Sequence, residues 1–355
     1  MKHQSGYAFT LLLLLAGCGG GGGDSSSTTG TTKLNLAVSD APVDSAQQVC
    51  IAVSGLRLKQ EGVATEKTWG QLDLIDTDDN DDNDDNDDGC LPDGYAIPED
   101  ANGNPTFIYL DLLKYQNGEK HVLLSDETIP SGTYEQLRLT VLDGTDKKND
   151  LAGNIPLPAS YVKDDSGNIL PLYVPSSELK FHNPFTAVVD GVLDYQVEFN
   201  LRHAMVLPGN LATSDHYKLK PNGVKLLAVE TLSTIKGDIN SLSCGGNLNK
   251  AGIYLYNSAI TSPTKGLEAE PADGGPINST LVNNTTTPVS YEIHYVEPGS
   301  YNLALVCNAT DDIPSDDTSG SSTYDFIPDV DAVIPIVVNP EVSTLFTVDF
   351  PANPT

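Results

Sequence analysis

The chain has 355 residues, with 49 acidic against 19 basic side chains and a net charge of −30 at neutral pH. So strong an imbalance argues against nucleic acid as a partner, because little basic surface is left to neutralise phosphates. It equally disfavours adsorption to an anionic bilayer through charge. The length suits two domains, and a composition rich in Val, Ile, Thr, Tyr, Gly and Pro points to an all-β chain.

The first residues read as an export signal. Lys2 gives a positive start and Phe9 to Ala16 an apolar stretch that includes Leu11 to Leu15. The stretch is far shorter than the ~20 residues of a spanning helix. Leu15-Ala16-Gly17-Cys18 resembles the bacterial lipobox, in which Leu and two small residues precede the cysteine that receives lipid. The resemblance implies a lipoprotein signal over residues 1–17, cleavage before Cys18 and lipidation of Cys18. An ordinary secretory signal is the alternative. Gly19 follows the cysteine where an Asp would imply inner-membrane retention, so the resemblance implies the outer membrane. Residues 18–32, dominated by Gly, Ser and Thr, form a flexible tether with a typical reach of roughly 20 Å.

Without Cys18, four cysteines are left, an even number that suggests disulfides in an exported chain. Of the three connectivities, Cys50 with Cys90 and Cys244 with Cys307 are the economical pairs. Free buried thiols are the alternative; zinc ligation lacks a C-x-x-C spacing.

From Lys33 the chain reads as short alternating strands. Leu34, Leu36 and Val38 form one half-buried face, and Val49, Ile51 and Val53 form another within Val49 to Lys59. Leu72, Leu74 and Thr106 to Leu113 suggest further strands. A turn at Ile129 to Tyr134 feeds a strand with Leu137, Leu139 and Val141 inward and Gln136, Arg138 and Thr140 outward. Phe185 to Leu201 and Tyr217 to Glu230 continue the pattern, at the spacing of a sandwich or barrel. Three segments, Leu36 to Asp44, Pro130 to Val141 and Tyr217 to Pro221, resemble the DUF4382 family of uncharacterised bacterial lipoproteins. The resemblance implies a β-domain over 33–230 with an Asp-rich insertion at 76–89, and carries no catalytic residues with it.

A second unit, 231–355, begins with strands at Ile235 to Ile239 and Gly252 to Tyr256. Its Glu297-Pro298-Gly299-Ser300-Tyr301 turn into a strand resembles the transthyretin-like, carboxypeptidase-regulatory β-sandwich, which implies a structural or adhesive module. The expected architecture is therefore two antiparallel β-sandwich-like domains behind a signal and tether.

Asp76 to Asp88 holds nine aspartates in thirteen residues. Ca²⁺ takes several hard oxygens on a flexible loop that turns at a glycine. Asp84-Asp85-Asn86-Asp87-Asp88-Gly89 fits the start of such a loop, with Asp84, Asn86 and Asp88 as ligands and Cys90 offering its carbonyl. The closing glutamate is missing, since Tyr95 stands there. A solvated acidic loop is the alternative. Enzyme motifs such as G-x-S-x-G, H-E-x-x-H or a P-loop are absent from the sequence. His121, His182, His203, His216 and His294 are scattered, although Arg202-His203 and His216 could meet across a hairpin. Lys218, Lys220 and Lys225 make a small basic stretch suited to edge protection or to internal pairing with the Asp-rich loop.

The expectation is a non-enzymatic cell-envelope lipoprotein with a structural, binding or adhesive role, held to the membrane by lipid and facing an unknown protein or carbohydrate ligand. The alternatives are a Ca²⁺-dependent carbohydrate- or protein-binding module, with Ca²⁺ as its one possible cofactor, and a hydrolase whose site is assembled across strands.

Overall fold

The structure is a computed structural model of the chain. It describes residues 30–41, 46–74, 88–92, 95–116, 118–151, 157–208, 214–313, 315–316, 326–339 and 345–351. Their regular structure is almost entirely strand, in two successive sandwiches with separate cores. Cys18, Asp84 and Asn86 lie outside the described residues.

In the first sandwich, a four-stranded sheet runs in the order Val224–Ala228, Val192–Asn200, Thr31–Ala41, His121–Pro130. Alternation gives each strand one apolar face. Leu34, Leu36 and Val38 point inward, as do Val197 and Phe199. They meet the inner face of a larger sheet built around Ala46–Gln60 and Gly132–Val141, from which Ile51, Leu56, Leu137 and Leu139 project. Ala46–Gln60 is buried on both faces. Its Cys50 and Ala52 join Cys90, Phe107, Tyr109 and Tyr161 in a small satellite core. The Cys50–Cys90 disulfide crosses it.

The second sandwich packs Val289–Val296, Ser233–Ile239 and Leu345–Thr347 against Asn278–Leu281, Gly252–Asn257, Gly299–Val306 and Val330–Val338. Ile235, Ile253, Ile293, Leu303 and Leu305 fill the space between. A Cβ on Gly237 would lie 1.8 Å from the Val348 carbonyl, so only glycine lets that neighbour approach. The second disulfide joins Cys244 to Cys307.

Several elements differ from the sequence reading. Gln71–Leu74 is a turn of 3₁₀ helix rather than a strand, because Asp73 reaches back to the Gly70 amide at 2.8 Å. Gln136 is buried rather than outward, accepting from Arg138 and donating to the His182 ring. The sheets are also mixed. Thr31–Ala41 pairs in parallel with Val192–Asn200, and Ser233–Ile239 with Leu345–Thr347. A parallel partner requires a long crossover, here the chain that forms the opposite sheet.

The two sandwiches share one corner device. The Tyr134 hydroxyl donates to the Pro130 carbonyl at 2.7 Å, and that of Tyr301 to the Glu297 carbonyl at 2.8 Å. In both, a Pro-x-Gly or Pro-Gly turn enters a strand and a tyrosine four residues on fastens the turn to it, as tyrosine corners do in other β-sandwiches. Tyr134→Phe and Tyr301→Phe should each lower unfolding stability by about 1 kcal/mol, the usual net value of one hydrogen bond. Because the two lie in separate cores, chemical denaturation of the double variant should give the sum. Reducing either disulfide should cost about 4 kcal/mol by loop entropy, read in the same assay.

Candidate functional site

The outward face of the first four-stranded sheet is polar. Asn35 and Ser39 alternate with the core residues of their strand, and Asp194, Gln196, Glu198 and Asn200 with those of theirs. Such a face ordinarily meets water. Here its upper half is covered by the second sandwich, so Ser39, Gln196, Glu198 and Asn200 are all buried. The covering residues include Ile277, Asn278, Tyr295, Val296 and Tyr301, and a cavity of about 30 Å³ lies between the two walls. That volume holds about one or two waters.

Glu198 stands at this cavity with 5% of its surface exposed. Burial pushes its carboxyl up to about 7, against the stabilising effects of Ser39, Lys225 and Gln196. Ser39 donates its hydroxyl to Glu198 and accepts from the Gln196 amide. From the other wall Tyr295 reaches Ser39 and Gln196 and donates to the Gly118 carbonyl at 3.1 Å. Asn200 turns its amide nitrogen toward the Ile277 carbonyl and Asn278, both at 3.4 Å. Its Oδ1, buried, has no hydrogen-bond partner among the described residues.

Where the Val192–Asn200 strand ends, the single helical turn Leu201–Ala204 carries the most deeply buried cation among the described residues. Arg202 is 3% exposed. Its guanidinium donates to the Ala309 carbonyl at 2.9 Å and to Ser279 Oγ at 3.2 Å, and lies 5.5 Å from the centre of the Tyr254 ring. All three belong to the second sandwich. The Tyr254 hydroxyl donates to buried Asp312, which also accepts from the Leu267 amide at 2.9 Å. Burial raises the Asp312 carboxyl above its ordinary range, with Arg202 acting in the opposite sense.

His203 is buried beside Arg202, with Nδ1 3.2 Å from the Leu267 carbonyl and Nε2 3.3 Å from Glu270. Burial holds its imidazole below the ordinary range, although Glu270 pulls the other way. Lys220 meets the same Glu270 at 3.1 Å. Gly223 lets the Pro221–Gly223 turn pack closely on the Leu201–Ala204 turn, since a Cβ there would lie 2.5 Å from that of Ala204. The hairpin does pair Met205–Pro208 with Tyr217–Leu219, yet the histidines have different neighbours. His216 lies against Asp215 and edge-on to Tyr173, with no contact to His203.

The lower half of the same sheet face is open. A groove of about 500 Å³ runs over Asn35, Ala37, Lys120, Val122, Asp126 and Asp194. Asn35 donates to Asp194 at 2.6 Å and accepts from the Asp126 amide at 2.7 Å.

Two of the residues expected to bind calcium have partners within the chain. Asp88 accepts from the Asp111 amide at 2.7 Å and from Lys114 at 2.8 Å. The Cys90 carbonyl accepts from the Tyr161 hydroxyl. Asp88 and Gly89 both take left-handed conformations, with φ of 52° and 74°. The end of the acidic run is therefore fastened to the sheet by a salt bridge, a tight turn and the Cys50–Cys90 bond.

Exposed ion pairs such as Lys59–Glu135 and Lys250–Asp311 contribute at most about 1 kcal/mol each. Arg202 is in a different regime, because its removal strands the buried Ala309 carbonyl and Asp312 without their cation. Arg202→Ala should cost about 3 kcal/mol or more. Protease cleavage near Val229–Thr231, the turn that links the sandwiches, should speed up in parallel.

No curated protein matches the chain. Among solved structures it is similar to the Bacillus anthracis TIE protein at 9% identity and a TM-score of 0.16, covering 90% of this chain and 34% of that one, so it spans about a third of that protein. The fimbrial anchor protein Mfa2 from Porphyromonas gingivalis matches at 9% identity and TM-score 0.20, over 89% of this chain and 90% of that one. BcpA, the major pilin subunit of Bacillus cereus, matches at 9% and 0.17, over 90% and 69%. Likenesses of that size carry no functional argument. The family model "Domain of unknown function (DUF4382)" matches residues 31–221, which includes the Thr31–Ala41 and Val192–Asn200 strands of the polar sheet face, Arg202, His203 and Lys220. With more than half of its length in that match, the chain belongs to the DUF4382 family.

Proposed function

We propose that this protein is a non-enzymatic lipoprotein of the bacterial envelope, tied to the outer membrane through Cys18, whose two sandwiches act as one stiff structural or binding unit. The seam carries the structural part of this reading. Its charged and polar side chains, Arg202, His203, Glu198 and Asn200, are turned inward to hold the second sandwich rather than outward to meet a substrate. The two disulfides suit an oxidising compartment outside the cytoplasm. The Leu15-Ala16-Gly17-Cys18 motif supports the lipid anchor, and the Glu297 to Tyr301 corner supports a transthyretin-like second module. The open groove beside the seam is the natural place for a protein or carbohydrate ligand.

The anchor is tested by mass spectrometry of the mature N-terminus and by membrane fractionation. The expected result is a diacylglyceryl-modified Cys18 that sediments with the outer membrane, and a Cys18→Ser variant that does not. An unmodified Cys18 in the natural protein would overturn it.

One observation favours a second reading, a Ca²⁺-dependent module. The acidic run is fastened at its Asp88 to Cys90 end, so cation binding by Asp84, Asn86 and their neighbours would bear directly on the Ile108–Asp111 strand. Calorimetry with millimolar Ca²⁺ should then show binding that Asp84→Asn with Asn86→Ala removes, with a Kd of roughly 10⁻⁴–10⁻³ M as in extracellular modules. Absence of calcium heat in that range would dismiss this reading.

A further inference from the structure

We infer that the cavity inside the seam is a binding site for one alkali-metal cation, Na⁺ or K⁺, held between the Glu198 carboxylate and Asn200 Oδ1. The two side chains stand two residues apart on the outward face of one strand and line the same space of about 30 Å³. That space takes one or two waters, or an ion of like size. Asn200 is 7% exposed, and its Oδ1 is an acceptor with nothing to accept from among the described residues.

A buried acceptor needs a donor or a cation, and the hydroxyls around this one are committed. Tyr295 donates to the Gly118 carbonyl and Tyr301 to the Glu297 carbonyl. The Ser39 hydroxyl goes to Glu198 itself. The amide nitrogen of Asn200 lies 3.4 Å from both the Ile277 carbonyl and Asn278 Oδ1, at the long end of hydrogen bonding. Oxygens from both walls therefore gather at one small space: Glu198 and Asn200 from the first sandwich, Ile277 and Asn278 from the second. Carboxylate and carbonyl oxygens are the ligands that hard cations take.

Charge sets the valence. Glu198 and Glu297 line the cavity against Lys225, which leaves one net negative charge. Lys225 stands directly opposite Glu198 in the sheet register, yet no ion pair joins the two among the described residues. A buried carboxylate without a direct counter-charge is costly, and burial pushes this one up to about 7. One monovalent ion balances the site. Ca²⁺ would overcharge it and asks for about six to eight oxygens. Water fills the space but brings no charge. The inference depends neither on the lipid anchor nor on the Asp-rich loop.

The test is thermal unfolding of the intact chain at about pH 8, with Na⁺, K⁺, Cs⁺ or N-methyl-D-glucamine as the sole cation at constant ionic strength. A chain of net charge −30 gains from any salt by screening, which is blind to ionic size. A site is not. Na⁺ or K⁺ should raise the melting temperature above the N-methyl-D-glucamine value, by roughly 2–4 °C for each tenfold rise in concentration above Kd. Glu198→Gln and Asn200→Ala should each abolish this selectivity. Lys225→Met should strengthen it, since a competing positive charge is gone; a purely structural role for Lys225 predicts no such gain. Asp84→Asn with Asn86→Ala should leave it unchanged, which separates the site from the acidic run. Crystals grown with Tl⁺ in place of K⁺ should scatter anomalously between Glu198 and Asn200. Equal melting temperatures in all four cations would overturn the proposal and leave ordered water in the cavity, as would Tl⁺ bound only elsewhere. If Asn200→Ala fails to fold, Glu198→Gln and Lys225→Met still decide.

Discussion

The burial of one guanidinium between two hydrophobic cores sets the terms for the rest of this molecule. Arg202 leaves the first sandwich on a single helical turn and donates to Ser279 and Ala309 of the second. A charge at 3% exposure is tolerable only when every donor is met and an aromatic face or carboxylate lies close by. Ala309, Ser279, Tyr254 and Asp312 meet that demand together. The relative placement of the sandwiches is thus fixed by the need to satisfy Arg202, in addition to the apolar area they share.

That placement gives the polar sheet face two fates. Where Tyr295 and its neighbours cover it, side chains of a solvent-facing type become interior, and their ionisation is displaced accordingly. Where the cover stops, the same strands line an open groove. One strand, Val192–Asn200, therefore supplies both a buried joint and an accessible surface, with Asp194 on one side of the boundary and Glu198 on the other.

The strands were largely legible in the sequence, because the alternation of Leu34, Leu36 and Val38, and of Leu137, Leu139 and Val141, has a single burial solution. Both disulfides were also readable, as pairs local to their own sandwich. Local chemistry overrode pattern at Gln71–Leu74, where one aspartate closes a turn, and at Gln136, which the His182 ring draws inside. The seam was hidden for another reason. Gln196, Glu198 and Asn200 read as a solvated face, and only the arrival of a domain that begins more than thirty residues later turns them inward. Arg202 and His203 stood out as a pair, but the sequence offered His216 as their companion, whereas Tyr254, Asp312 and Glu270 are the residues they meet.

The parallel pairing at the middle of the first sheet bears on mechanics. Thr31–Ala41 is hydrogen-bonded on both sides, to Val192–Asn200 and to His121–Pro130, along most of its length. A pull applied at residue 30 acts along the strand axis, so both ladders are loaded in shear and their bonds share the force at once. A strand at a sheet edge, peeled from one end, would break them in turn. The N-terminal end of the described fold is thereby the end best arranged to resist being drawn out.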